Sequence, residues 1–439
     1  MGKQLWKPVF SLDTRSLASM RILGGLLIIW DLFQRALDFH SHFTAHAVFP
    51  VEFSRQLEQL PKGIMAVRET SALFSLHNLS GATWWQALLF ALTFLVTISY
   101  TVGFKSRLSA FLSLIMVISM HNRNILMLYP GDDFSRLILF FSCFLPIGAV
   151  WSVDARRGQT PRPDSYVLEP SIFGVGFLLC VLSYFSLAGL TKTGECWKQG
   201  LGVYYLLSKE GWTTSLAPPL LSQLWLVRAL NYMTWCGESF LPFLMLVPLR
   251  HGLFRTVSVV TYIGMLVGFR LFLNTYHVTH LAVAFLVGAL PGSVWTWILR
   301  RQTPAAEAAP PAPAPNARLL HGALQTLFVA LMLLMAWSEW NRTCSIINSP
   351  KTLPMPEPLR KLALFTYVGN PWRVYFPDPK RMQDGWIVPR GYSQDGQRDL
   401  NLNTLQPFSL SKPANFAAHA GGFRWWRFFS KVAPFKPQN

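Results

Sequence analysis

The stretch "SIFGVGFLLCVLSYFSLAGLTKTGECWKQG" (Ser171–Gly200) decides what kind of molecule this is. No charge interrupts it between Ser171 and Thr191, which matches the ~20 apolar residues an α-helix needs to cross a bilayer. Lys192 then stands at the lip of the run. Such a lysine has two readings. It can snorkel, laying its stem on apolar surface and its ammonium in water. It can instead be a base, kept partly buried where a lipid-soluble substrate reaches it.

Working outward, similar apolar runs recur along most of the 439 residues. The chain is 51% hydrophobic and only 14% charged, against roughly 25% charged in an ordinary soluble domain. The expected fold is therefore an all-α polytopic membrane protein with about nine transmembrane helices and a small, partly β C-terminal extramembrane region. The expected spans cover 17–37, 84–103, 107–122, 134–151, 170–191, 226–248, 253–272, 275–297 and 319–340. "GFKSR" (Gly103–Arg107) and "PLRHGLFR" (Pro248–Arg255) are short turns that make their neighbours antiparallel hairpins. The Pro/Ala-rich run "TPAAEAAPPAPAPN" (Thr303–Asn316) reads as an extended linker. Residues 1–300 thus form the main transmembrane domain, 301–318 the linker, 319–340 the last transmembrane helix and 341–439 an extramembrane region.

The formal charge of +18 would suggest a nucleic-acid partner in a soluble protein, but no nucleic-acid-binding motif accompanies it. The basic residues instead flank the spans, as the positive-inside rule requires. Arg15, Lys105, Arg107, Arg156, Arg157, Arg250, Arg255, Arg300 and Arg301 fall on one side. With nine spans this puts the N-terminus in the cytoplasm and the C-terminus outside. Loop 38–83, the loop holding Lys192 and everything after 341 then share the outer face. The five cysteines show no CxxC or metal-ligand spacing. The N-terminus has no signal-peptide pattern, because its first apolar run carries Asp31 and Arg35 and lacks a cleavage site. Trp6 stands where a myristoylation signal needs Ser or Thr. In the tail, "GWIVPRGYSQDGQRDLNL" (Gly385–Leu402) reads as two strands about Asp395-Gly396. "RWWRFFSKVAPF" (Arg424–Phe435) suits either an interfacial segment or a packed helix.

Polar groups within apolar spans face other helices, water or a substrate. Asp31 and Arg35 sit i, i+4 and can pair. Glu238, in "WCGESFLPF", is an acid with no local partner; Arg270 is one distant candidate. The densest polar patch is "HNRNILMLYPGDDFSR", with His121, Asn122, Arg123, Asp132, Asp133 and Arg136 at the outer ends of two adjacent spans. It can orient a polar head group through charge-assisted hydrogen bonds, or serve only to cap helices. His277 and His280 lack a third metal ligand, and no metal site is expected.

These residues together resemble the HTTM (horizontally transferred transmembrane domain) family, bacterial type, which includes vitamin K-dependent gamma-carboxylase. The resemblance rests on "SLDTRSLASMRILGGLLIIWDL" (Ser11–Leu32), "HNRN" with "GDDFSR", "LPIGAVWSVDAR" (Leu145–Arg156), "YFSLAGLTKTGECWKQG" (Tyr184–Gly200) and "NPWRVYFPDPKRMQDGW" (Asn370–Trp386). It covers about 11–300 and 370–400. Lys192, with Trp197 and Gly200 behind it, lies where the carboxylase carries its catalytic lysine.

The resemblance implies a chemistry. A lysine deprotonates a reduced lipid quinone, whose reaction with oxygen yields an epoxide and a strong base that removes a proton from a glutamate side chain. Lys192 would be the base, and His121, Asn122, Arg123, Asp132, Asp133, Arg136, Trp197 and Glu238 would line the substrate site. The implied partners are membrane lipid, a quinone and a periplasmic protein. The chain departs from the carboxylase in having Ala149 where a histidine stands before "WSVD", and in a much smaller outer region; both weigh against glutamate carboxylation. A non-enzymatic membrane scaffold or partner subunit is the competing reading, and a transporter the third, since no paired broken helices mark a midplane site.

Overall fold

The computed structural model describes residues 2–52, 74–158, 165–208, 213–300, 315–346, 349–366, 390–392, 399–401, 407–409, 422 and 424–425. Ten helices build the bundle: α1 Thr14–Leu37, α2 Thr83–Val102, α3 Ser106–Arg123, α4 Pro130–Phe144, α5 Ile172–Leu190, α6 Leu224–Phe240, α7 His251–Phe272, α8 His277–Val287, α9 Gly292–Leu299 and α10 Pro315–Ile346. Shorter helices lie between them and at Gly2–Phe10. Two small antiparallel sheets complete the described fold. Strand β1 (Leu12–Asp13) pairs with β2 (Val167–Leu168), and β3 (Arg390–Tyr392) with β4 (Asp399–Asn401). The second is the hairpin expected in the tail; its turn, 393–398, lies outside the described residues.

Local chemistry sets the helix ends. Asp13 caps α1 by accepting from the Arg15 amide at 2.8 Å. Helix α2 stops at Gly103, whose φ of 71° lies in the left-handed region that glycine enters without strain. Asp154 then organises the start of α3, accepting from the amides of Lys105 (2.8 Å) and Ser106 (2.7 Å) and from the Ser106 hydroxyl (2.6 Å). Pro130 opens α4, where a missing N–H costs nothing.

Among the described residues, five helices are long and apolar enough to cross a membrane: Thr14–Leu37, Thr83–Val102, Ile172–Leu190, His251–Phe272 and Leu319–Ser345. Counting α8 and α9 together gives six. Each expected stretch contains helix, but the described residues do not confirm about nine full-length spans. Helix α3 ends in the polar His121, Asn122 and Arg123. Helix α4 has only 15 residues and finishes at Phe144, well short of 151. Helix α6 gives way at Leu241 to a 3₁₀ segment with Pro242 in its first turn. The expected span 275–297 is two helices bent by 95°, with Pro291 in the break, where the ring cannot continue the hydrogen-bond ladder.

The core runs between α1, α4, α5 and α8. Phe141 contacts Phe177 (5.3 Å between ring centroids), and Phe177 contacts Phe285 (5.2 Å). The last long helix joins this core despite the linker before it. Phe328 of α10 enters between Phe144 (4.9 Å) and Phe173 (5.1 Å). Gly176 makes room for it, since a Cβ there would lie 2.6 Å from the Phe328 ring.

Candidate functional site

Helix α5 is capped at Thr191, and the next side chain turns back along it. Lys192 Nζ donates to the Ala188 carbonyl at 3.0 Å and to the Glu238 carboxylate. Its ammonium also lies 5.0 Å from the centroid of the Trp197 ring. A helix C-terminus favours such a cation through its free carbonyls and its dipole. Lys192 and Glu238 are each only 2% exposed, and Trp197 is fully buried. Lys192 is therefore no snorkelling anchor. Its charge is satisfied inside the protein by a carboxylate, a carbonyl and an aromatic face.

Two devices hold this pair. The first is a close helix crossing: a Cβ on Gly189 would collide with the backbone of Ser239, so only glycine lets α5 and α6 approach this far. The second is Asn231 of α6, whose amide donates to the Trp197 carbonyl at 2.9 Å while its oxygen accepts from the Val203 amide at 3.2 Å. Glu238 therefore does have a partner, and it is Lys192, not Arg270. Tyr184 lies two turns before Lys192 on the same face of α5. Its buried hydroxyl has no hydrogen-bond partner among the described residues.

The polar hairpin forms a second centre. Asp132 completes a capping box by accepting from the Tyr129 amide at 3.0 Å. It also accepts from Arg35 Nη2 at 2.6 Å, while Arg35 Nε reaches Asp31 at 2.8 Å. The expected Asp31–Arg35 pair is thus present and extends to the fourth helix. A residue from the far end of the chain closes the network. Arg424 donates to Asp132 Oδ2 and to the Met127 carbonyl (3.0 and 2.9 Å), and also to Asp31. Its guanidinium lies 4.4 Å from the Tyr129 ring centroid. Burial opposes the Arg424 charge, but the Asp132 and Asp31 carboxylates override it and raise its affinity for the proton above arginine's ordinary value.

His121 belongs to this centre. Arg136 Nε can only donate, so at 3.0 Å it makes His121 Nδ1 the acceptor. The ring proton is then on Nε2, which faces Asp132 at 3.4 Å. Asp31, His121 and Asp132 offer ligand atoms within 4.8 Å of one another. The guanidinium groups of Arg35 and Arg424 already sit on both carboxylates, so the chemistry is that of an ion-pair network rather than a metal centre.

The remaining expected residues are placed as follows. Arg123 donates to the carbonyls of Phe43 (3.2 Å) and Phe49 (2.8 Å), and Asn122 to that of Phe74 (3.1 Å). These two fix parts of the connection between α1 and α2. Asp133 is buried beside Asp132 in the first turn of α4. An aromatic layer lies between the two centres: Phe134 of α4 packs on Tyr184 at 4.8 Å, roughly 12 Å along α5 from Lys192 at 1.5 Å per residue. Sequence reasoning missed Arg424 and Asn231, which carry no spacing signal toward their partners. Comparison with protein-family models, curated proteins and solved structures finds no match to this chain.

Proposed function

We propose that this protein is an HTTM-type membrane enzyme, with nine membrane crossings, a cytoplasmic N-terminus and its tail outside a bacterial inner membrane. Its substrate is a reduced lipid quinone, and Lys192 is the base. The observation that carries this reading is the buried Lys192–Glu238 pair at the end of an apolar helix. In a low-dielectric setting the ionic arrangement and the neutral one differ only in where one proton sits. With the proton on Glu238, Nζ keeps a lone pair and neither group is charged. A quinol hydroxyl arriving from the lipid then gives its proton to Nζ. The chemistry the quinol supplies is two-electron reduction of oxygen. Trp197 offers an aromatic wall beside the amine, and Tyr184 an uncommitted hydroxyl for a quinone oxygen. A scaffold role is the second reading, favoured by one fact: Lys192 is already fully satisfied within the protein.

The test is oxygen uptake and quinone product in proteoliposomes loaded with a reduced quinone. Lys192→Arg keeps the cation but cannot give up its proton. Uptake by the wild type with loss in Lys192→Arg, at a similar melting temperature, supports the enzyme. No uptake by either leaves the scaffold.

A further inference from the structure

The opposite end of the bundle holds a groove that the quinol reading does not use. It encloses about 1070 Å³ and lies where β1, β2, α7 and α9 meet. Two helices begin at its wall. Helix α7 starts at His251 after Arg250, and α9 starts at Gly292 after Pro291. Neither helix has a side-chain cap; the Leu253 and Val294 amides donate to the Arg250 and Pro291 carbonyls, which leaves the first two amides of each helix to a ligand. The two starts nearly touch: a Cβ on Gly252 would lie 3.3 Å from Ser293 Oγ. Two positive dipole ends therefore converge on one spot, a geometry that favours an anion.

Arginine chemistry points the same way. Arg255 lines the groove and is 1% exposed. It donates to the carbonyls of Ala289 (2.6 Å) and Ser11 (2.8 Å), yet its Nη2 has no partner among the described residues. A buried guanidinium nitrogen left unpaired is costly, and an anion in the groove would satisfy it. Arg250 adds further positive charge at the rim. The acid that lines the groove, Asp13, is neutralised by Arg15 at 2.7 Å. Leu12, Val167, Leu253 and Trp297 make the rest of the lining apolar.

The geometry points to a binding site for a phosphate group, carried by a membrane lipid or free in solution. The phosphate sits at the paired helix starts, with Arg250 and Arg255 as counter-ions, and acyl chains lie along the apolar wall. The site is separate from the Lys192 centre and does not depend on it.

Native mass spectrometry of the full chain in detergent tests this with phosphatidic acid, diacylglycerol and inorganic phosphate as separate probes. Arg250 and Ser293 are exposed, so Arg250→Glu/Ser293→Glu places two carboxylates at the site without disturbing the core. Affinity for the phosphate-bearing probe is expected to fall at least about ten-fold in this variant, at an unchanged melting temperature. Retention of phosphatidic acid alone assigns the lipid as source; retention of inorganic phosphate as well assigns free phosphate. Equal retention of diacylglycerol and phosphatidic acid, no retention of any probe, or undiminished binding by the variant overturns the proposal.

Discussion

Glu238 accepts a hydrogen bond from Lys192, forty-six residues earlier in the chain, and both side chains are closed off from solvent. A lone carboxylate in an apolar helix is unstable as an ion, and so is a lone ammonium at a buried helix end. Each removes the other's cost. Removing one partner alone, as in Lys192→Ala or Glu238→Ala, is expected to destabilise the protein by about 3–5 kcal/mol. Lys192→Met/Glu238→Gln, which leaves no charge, should recover most of that loss in a thermal melt. If the double variant melts no higher than the single ones, the pair is not an energetic unit.

Gly189 sets the distance within that pair. Gly189→Val adds bulk where α5 and α6 are in backbone contact, and overpacking of this kind costs about 1–3 kcal/mol. Gly176→Val, which meets the Phe328 ring instead, should destabilise while leaving the Lys192–Glu238 contact in place. Comparing the two variants separates loss of stability from loss of the Lys192 geometry.

Arg424 should behave as a strap. Arg424→Ala leaves Asp31 and Asp132 to share Arg35, and the predicted result is faster trypsin cleavage of the tail with a lower melting temperature. Arg424→Lys is expected to restore little, because a single ammonium cannot fork between two carboxylates as a guanidinium does. Cleavage rates equal to wild type in both variants would show that the tail is held elsewhere.

The connection between α1 and α2 should be acid-labile. His77 is held neutral, its proton affinity lowered to about 3 by burial and then by Arg123. His42 is lowered to about 3 by burial and then by Arg35, Arg424 and Arg123. Both titrate near 6.5 in an unfolded chain, so the unfolded state binds more protons between pH 6.5 and 3. Stability is full above pH 6.5 and falls with pH, by about 2 kcal/mol per histidine at pH 5. Melting temperature measured from pH 7.5 to 5 should drop, and His77→Gln should flatten the profile.

Asp154 predicts the opposite end. Burial pushes its carboxyl up, but hydrogen bonds from Ser106 and Lys105 outweigh that and hold it below its ordinary value. Its contribution is present above about pH 4 and is lost as pH falls through the lowered value. Asp154→Asn should cost about 1 kcal/mol, as lost caps do, measured at neutral pH by chemical denaturation.

The apolar runs located the helices because hydropathy is a local property, readable without knowing what packs against what. They did not show where a span is interrupted, for an equally physical reason. A window of apolar residues does not register that Pro242 and Pro291 break the ladder, or that α3 finishes in His121, Asn122 and Arg123. The candidate site was half legible. Asp31 with Arg35, and Tyr129 with Asp132, are neighbours along a helix and so show in the spacing. Glu238 with Lys192, and Arg424 with Asp31, are neighbours only after the bundle forms. Nothing in a single sequence marks such a pair beyond the unexplained charge on each side.

The Arg424 network also has a consequence in time. Asp31 and Arg424 are 393 residues apart. At 5–20 residues per second, a ribosome takes roughly 20–80 seconds to travel between them. Once Asp132 has been made, 292 residues before Arg424, the first and fourth helices hold two carboxylates against the single guanidinium of Arg35. The end of the bundle that holds Asp31 and Asp132 reaches charge balance only when Arg424 has been made and has reached them. A residue synthesised 393 positions later thus completes the charge balance of the first helix.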